Sequence, residues 1–141
     1  MKHAGEQEQV TPAVISIGEV KRRFGTSTPK RQFLFERFQA VFNLLHETGK
    51  VKHVYLFGSF PAAIPSPNDV DLFVVMAADF TTRGLREDLA DVFTHHACRM
   101  RYNADVFWVT DAVGEEQIKV ALDVFSRSRA HEPQAVLEVV P

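Results

Sequence analysis

The sequence predicts one mixed α/β (α+β) domain, in which helices flank a small mixed β-sheet. Three observations favour this fold class. The chain has 141 residues, which is the size of one ordinary domain. Apolar residues make up 45% of it and charged residues 24%, as in soluble globular proteins. Short β-rich segments alternate with segments of helical periodicity, and no repeat or low-complexity tract divides the chain.

The composition also indicates what the protein is not expected to bind. No uninterrupted run of about 18 apolar residues is present, so no membrane partner is expected. The formal net charge of −2 lacks the basic excess that is typical of proteins bound to long nucleic acids. The single cysteine, Cys98, cannot form an internal disulfide. We therefore expect a cytoplasmic protein, because the reducing cytoplasm keeps thiols free.

The chain is predicted to begin with a flexible leader over residues 1–15, and residues 16–141 form the single domain. Ser16 and Glu19 have the spacing of a capping box, in which two side chains satisfy free N–H groups at the start of a helix. A short helix is therefore expected over residues 17–24.

A longer helix is expected next, because Thr28 and Pro29 are typical of an N-cap and a first helical turn. Apolar side chains then recur at helical spacing until Gly49, whose conformational freedom suits the end of a helix. Residues 53–57 follow as a short strand, because they are rich in aromatic and branched apolar side chains.

The rest of the domain is predicted from periodicity and from the breaks in it. Residues 60–68 contain three prolines and are expected to form a loop. Three strands and two helices follow: a strand over 69–76, a helix over 82–97, a strand over 103–110, a helix over 115–125 and an edge strand over 135–140.

Three aspartates lie in strands that are otherwise apolar, although strand interiors disfavour aspartate. Asp69 and Asp71 are two residues apart on one predicted strand and therefore project from the same face. Asp105 lies near the start of the next predicted strand. If these strands are neighbours, the three carboxylates converge on one patch. Carboxylates this close repel one another unless a cation lies between them.

A divalent metal is the cation that this pattern favours. No lysine or arginine lies within these strands, and ligands that are all oxygen suit Mg²⁺ or Mn²⁺, which also accept substrate phosphates as ligands. The residues leave a structural alternative open. In it, Asp69 caps the loop, Asp71 faces water and Asp105 pairs with a surface arginine.

Gly58 and Ser59 favour the metal interpretation, because they lie at the end of the preceding strand, one short loop before the aspartates. A glycine lets the backbone approach a ligand, and a serine offers an amide and a hydroxyl group to phosphate oxygens. A glycine–serine pair by itself most often marks a turn. Together with the three aspartates, it predicts a phosphate-binding metal site.

This set of residues resembles the hallmark of the nucleotidyltransferase superfamily, which has the DNA polymerase β-like fold. The resemblance rests on Phe57-Gly58-Ser59, a nine-residue loop, Asp69-Val70-Asp71-Leu72 and Ala104-Asp105-Val106-Phe107. From about residue 17 to residue 140, the chain is similar to a small bacterial subfamily of unassigned function. It departs from the better-known minimal nucleotidyltransferases at Pro61-Ala62-Ala63, where they carry an arginine and a glycine.

The resemblance implies attack on the α-phosphorus of a nucleoside triphosphate, with pyrophosphate leaving. It implies that Asp69 and Asp71 hold Mg²⁺ or Mn²⁺. Asp105 would be the third ligand and would help to take the proton of the incoming hydroxyl group. Gly58 and Ser59 would bind the β- and γ-phosphates. The acceptor would be a hydroxyl group on a protein, an RNA end or a small molecule.

A catalytically weak or inactive binding protein on the same scaffold is the alternative function, such as one component of a toxin–antitoxin pair. The altered loop after Ser59 and the lack of a predicted substrate-recognition domain motivate it. If the protein is an enzyme, we expect selectivity to come from a partner protein encoded nearby, from self-association into a homo-oligomer or from the target itself.

Other candidate residues are assigned structural roles. His95 and His96 are neighbours on a predicted helix and point in different directions, so a metal pair is disfavoured, and His96 is expected in the core. Cys98 is interpreted as a buried free thiol. Several arginines are interpreted as solvated, with phosphate binding as the alternative: Arg99, Arg101, Arg127 and Arg129.

Overall fold

Five strands and five α-helices are present in a computed structural model, which describes residues 11–128 and 130–141. Within these residues the strands are β1 (Ala13–Ser16), β2 (Val51–Phe57), β3 (Val70–Met76), β4 (Ala104–Thr110) and β5 (Leu137–Val140). The α-helices are α1 (Ile17–Phe24), α2 (Pro29–Glu47), α3 (Glu87–Val92), α4 (His95–Tyr102) and α5 (Glu115–Phe125). None of the described helices is both long and apolar enough to cross a membrane.

The strands form one mixed sheet in the order β1-β5-β2-β3-β4. β1 is parallel to β5, and β3 is parallel to β4. β2 runs antiparallel to both of its neighbours. The expected fold class, a mixed α/β (α+β) arrangement with helices beside a small mixed sheet, is therefore confirmed.

The two N-terminal helices begin where their capping residues predict. The Ser16 hydroxyl accepts a hydrogen bond from the Glu19 amide at 3.1 Å, and the Thr28 hydroxyl accepts one from the Arg31 amide, also at 3.1 Å. Each bond satisfies an N–H group that the first helical turn leaves free. α2 ends just before Gly49, whose φ of +68° lies in the left-handed region. The local sequence thus determines both ends of α2.

The single helix expected over residues 82–97 is wrong, because the segment contains two short helices, α3 and α4. Gly84 has a φ of +72°, and helical structure begins only after it. α3 stops before Phe93, whose ring packs on Trp108 with 5.2 Å between the ring centroids. This aromatic contact fixes the chain at the break, and α4 starts afresh at His95.

Two expectations about the edges of the sheet are also wrong. β5 is not an edge strand, since it lies between β1 and β2. Of the leader expected over residues 1–15, residues 13–15 belong to β1, and residues 1–10 lie outside the described residues. Ala13 pairs with Leu137, which is almost at the other end of the sequence, so no local pattern indicates this strand pair.

Helices cover both faces of the sheet, because successive residues of a strand point to opposite sides. On one face, residues of α1, α2 and α4 pack with strand residues such as Leu56 and Leu72. On the other face, α5 packs over Tyr55 and Phe73, and the Phe73 ring lies 5.2 Å from that of Phe125. The sheet is therefore the middle layer of three.

Two substitutions in β1 test whether this edge strand contributes to the stability of the fold. Ile15 is 6% exposed and belongs to the larger core cluster, whereas Val14 is 66% exposed. We expect Ile15→Ala to lower the free energy of unfolding by about 2–3 kcal/mol, through lost burial and a residual cavity. Val14→Ala should change it by less than about 0.5 kcal/mol. Urea unfolding monitored by circular dichroism measures both, and equal losses would contradict a packed β1.

Candidate metal centre

The acidic residues lie at one end of the strands, where β3 and β4 begin and β2 ends. We refer to this boundary of the sheet, which is formed by strand ends, as the acidic edge. The parallel register of these strands pairs Asp71 with Asp105. Asn103 sets the turn before β4, because it ends α4 with a φ of +52° and its carbonyl accepts a hydrogen bond from the Val70 amide at 3.0 Å. Asp69 directly precedes β3 and so lies at the same edge.

Three carboxylates converge at this edge, as expected for aspartates on neighbouring strands. One carboxylate oxygen each from Asp69, Asp71 and Asp105 lies within 4.8 Å of the other two. Asp105 is 8% exposed, and the other two residues are half-buried. Negative charges this close repel one another more strongly where water is partly excluded. The group therefore needs a positive partner.

Gly58 and Ser59 lie at the same edge, because β2 is antiparallel to β3 and its last residue, Phe57, pairs with Asp71. Gly58 has a φ of +80°, and a Cβ atom added to it would lie 2.2 Å from Asp71 Oδ2. Its backbone thus packs directly against the carboxylate, which no residue with a side chain could do. The Ser59 carbonyl accepts a hydrogen bond from the Ala62 amide at 3.1 Å and begins the following loop.

A buried arginine that was not expected from the sequence holds this loop. The Arg31 guanidinium donates hydrogen bonds to the carbonyls of Phe60, Ala62 and Ile64 at 2.7, 2.8 and 2.6 Å. Burial lowers the pKa of Arg31 from its ordinary value. A sequence signal existed, since Arg31 lies three residues before Leu34 on the apolar side of α2. The loop after Ser59 is therefore anchored to a helix.

Two basic side chains of α4, an arginine and a histidine, contact the carboxylates. Arg99 Nη1 lies 3.3 Å from Asp105 Oδ1, and Arg99 Nη2 lies 3.8 Å from Asp69 Oδ2. His95 Nε2 lies 3.7 Å from Asp105 Oδ1. The tight turn at Asn103 brings α4 back over the start of β4. The interpretation of Arg99 as solvated is therefore incomplete, and the expected alternative of an arginine paired with Asp105 is present.

Comparison with known proteins identifies a family for this chain. The model of a family of unknown function, DUF6932, matches residues 7–140. The chain belongs to the DUF6932 family. No curated protein and no solved structure matches the chain significantly. Every candidate site residue, from Gly58 to Asp105, lies within the segment that matches the DUF6932 model.

Cys98 of this DUF6932 protein is a buried free thiol, as predicted. Burial and, secondarily, the negative charge of Asp105 raise the pKa of Cys98 to about 12. The reactive form of cysteine is the thiolate, so this side chain stays protonated at neutral pH and is no nucleophile. Cys98 is part of the core that supports α4.

His96 is exposed, so its expected place in the core is wrong. The expectation assumed one continuous helix over residues 82–97, and the break before α4 changes which side chains face inward. Arg101 pairs with Asp91 at 3.0 Å, and Arg127 is exposed, which agrees with solvated roles. Arg129 lies outside the described residues.

The acidic group of this DUF6932 protein fits a hard divalent cation. Asp105 Oδ1 is buried and accepts no hydrogen bond within the described residues, although Arg99 lies 3.3 Å away. A buried acceptor without a hydrogen bond lowers the stability of the folded protein, and a bound cation would supply the missing partner. Three carboxylates supply the oxygen ligands that Mg²⁺ and Mn²⁺ prefer. The candidate ligands are therefore Asp69, Asp71 and Asp105.

Proposed function

We propose that this protein is a metal-dependent nucleotidyltransferase, which moves a nucleoside monophosphate from a nucleoside triphosphate to a hydroxyl group on a protein, an RNA end or a small molecule. One observation carries the proposal. Oxygens of Asp69, Asp71 and Asp105 lie within 4.8 Å of one another beside Gly58, whose backbone packs against Asp71. The resemblance of these motifs to the nucleotidyltransferase superfamily supports it.

The three aspartates would hold Mg²⁺ or Mn²⁺ in this proposal. When bound, the cation supplies positive charge next to the reacting phosphate and the leaving oxygen. The protein's own contribution is to fix the ligands in place. Asp71 and Asp105 are registered partners on adjacent strands, and the anchored turn at Asn103 maintains that register. Such preorganised ligands need little rearrangement during the reaction.

The remaining residues act on the substrates. The backbone N–H groups at Gly58 and Ser59, together with the Ser59 hydroxyl, donate hydrogen bonds to the β- and γ-phosphates. The acceptor oxygen forms a bond to the α-phosphorus, the bond from that phosphorus to the β-phosphate oxygen breaks, and pyrophosphate leaves. Asp105 accepts the proton of the attacking hydroxyl group. We place the reaction in the cytoplasm, where nucleoside triphosphates and Mg²⁺ are available.

A transfer assay tests the proposal. The protein is incubated with each α-labelled nucleoside triphosphate, Mg²⁺ or Mn²⁺ and a cell lysate as the source of acceptors. We expect label to be transferred by the wild type and not by the double variant Asp69→Asn Asp71→Asn. The double variant Asp79→Asn Asp111→Asn makes the same change of charge at exposed positions and should transfer label normally. Transfer that survives the first double variant would contradict the proposal.

A binding protein on the same scaffold, such as a toxin–antitoxin component, is the second candidate. Val120 and Val124 favour it, because they lie one turn apart on α5 and are 55% and 59% exposed. This function predicts a stable complex with the product of a neighbouring gene and no nucleotide binding that depends on the carboxylates. Calorimetric titration of the wild type and of Asp71→Asn with a nucleotide and Mn²⁺ separates the two candidates.

A further inference from the structure

Arg99 bridges two of the three carboxylates across two different segments of the chain. Its Nη1 atom lies 3.3 Å from Asp105 Oδ1 and 3.4 Å from Asp105 Oδ2. Its Nη2 atom lies 3.8 Å from Asp69 Oδ2. A single guanidinium thus supplies positive charge to Asp105 on β4 and to Asp69 in front of β3.

The bridge is loose, which distinguishes it from a structural ion pair. Charge-assisted hydrogen bonds between guanidinium and carboxylate groups are typically about 2.7–2.9 Å long, and all three Arg99 contacts are longer. The Arg99 side chain is also 53% exposed, so water can replace its contacts at low cost. Arg101, on the same helix, makes a shorter bond of 3.0 Å to Asp91.

A divalent cation among the carboxylates would compete with this guanidinium. Mg²⁺ binds oxygen ligands at about 2.0–2.1 Å, so an ion held by Asp69 and Asp105 would lie within a few ångströms of Arg99. Two positive groups at such a distance repel each other, and both neutralise the same oxygens. Binding of the ion among the carboxylates is therefore unfavourable while Arg99 keeps its present position.

We propose that Arg99 is the internal counter-ion of the acidic group, which neutralises Asp69 and Asp105 in the metal-free protein and lowers their affinity for a divalent cation. The inference rests on the proposed function, because it takes the three aspartates as the metal site. Arg99 is a positioning residue in this role. Its positive charge reduces the repulsion between the two carboxylates before the ion binds, and its side chain moves away when the ion displaces it.

Titration calorimetry with Mn²⁺ alone tests this role without any transfer assay. Removing the positive charge in Arg99→Gln should tighten Mn²⁺ binding about fivefold to tenfold, as expected for the loss of one nearby, solvent-screened charge. Arg99→Lys keeps the charge and should bind within about twofold of the wild type. The gain in Arg99→Gln should shrink at high salt, because salt screens the repulsion.

Arg101→Gln is the matched control, because it removes the same charge from the same helix at a residue that pairs with Asp91 instead. It should leave Mn²⁺ affinity unchanged. If the wild type binds Mn²⁺, and Arg99→Gln either binds it no better or tightens binding only as much as Arg101→Gln does, the counter-ion role is wrong and the metal site stands. If neither the wild type nor Arg99→Gln binds Mn²⁺, the metal site and the proposed function are both wrong.

Discussion

Replacing Asp71 with asparagine is expected to abolish nucleotidyl transfer while leaving the fold intact. Asp71 lies between the two other parts of the site, since it pairs in register with Asp105 and contacts the backbone of Gly58. Its loss removes a ligand of the cation that stabilises negative charge on the reacting phosphate, so transfer should fall by about 10³-fold or more. Asparagine has nearly the same shape, so packing is preserved.

The stability of the same variant should respond in the opposite direction. The carboxylates of Asp69, Asp71 and Asp105 crowd one another in the metal-free protein. Neutralising one of them relieves repulsion, so the free energy of unfolding without metal should stay the same or rise by about 1 kcal/mol. Thermal unfolding with and without Mn²⁺ measures this, and we expect Mn²⁺ to stabilise the wild type but not Asp71→Asn.

Asp79→Asn is the control for Asp71→Asn. Asp79 is exposed and pairs with Lys50 at 2.6 Å, away from the acidic edge. This variant should keep both label transfer and stabilisation by Mn²⁺. A loss of transfer in Asp71→Asn that accompanies a clear loss of stability would indicate a structural role for Asp71 and would contradict the metal site.

Gly58→Ala is expected to have the second largest effect. Its φ of +80° costs an alanine on the order of 1–2 kcal/mol, because a Cβ atom clashes with the backbone in this region. In addition, the new Cβ atom would lie 2.2 Å from Asp71 Oδ2, so the carboxylate must move. Displacing a ligand by about 1 Å is enough to lower transfer about 100-fold. Mn²⁺ affinity should fall with it.

Gly84→Ala separates the effect of backbone strain from the effect of the clash with Asp71. Gly84 has a similar φ of +72°, but a Cβ atom added there meets nothing within 4 Å. Both variants should lose stability from backbone strain, and only Gly58→Ala should lose Mn²⁺ binding and transfer. Calorimetry with Mn²⁺ and thermal unfolding of the two proteins side by side provide the measurement. Equal Mn²⁺ affinity in both variants would show that the contact between Gly58 and Asp71 has no role in the site.

Much of the fold could be predicted from short-range chemistry. The hydroxyls of Ser16 and Thr28 cap α1 and α2 through bonds that span three residues, so the sequence pattern alone indicates both helix starts. The runs of apolar residues in β2 and β3 likewise predict strands. These elements depend on neighbours in the sequence, and periodicity records such neighbours directly.

The missed features depend on contacts between distant parts of the chain. β1 has four residues, and although Val14 and Ile15 favour strands, so short a segment does not by itself indicate one. Its pairing with β5 holds it in the sheet. The break between α3 and α4 coincides with the packing of Phe93 on Trp108. Helical periodicity continues across this break in the sequence, and only the tertiary contact shows where the helix stops.

Only part of the candidate site could be predicted, because its other contacts also join distant parts of the chain. Asp69, Asp71 and Asp105 stand out because aspartate is unusual in an apolar strand, and the parallel pairing of β3 and β4 brings them together. Arg31 lies on the apolar side of α2 and Arg99 is one of several candidate arginines, but neither pattern indicates which groups the two guanidiniums contact. Their positions beside the loop and the carboxylates follow from the packing of α2 and α4.

The central place of β5 affects how the chain can fold as it leaves the ribosome. Of the described strands β5 is made last, yet its residues pair with β2 through Tyr55 and with β1 through Ala13, both of which are made long before. The edge of β2 that pairs with β5 therefore has no strand partner until β5 is synthesised, and unpaired strand edges favour aggregation. Closure of the sheet thus waits until β5 has been synthesised, and it joins three strands that lie far apart in the sequence.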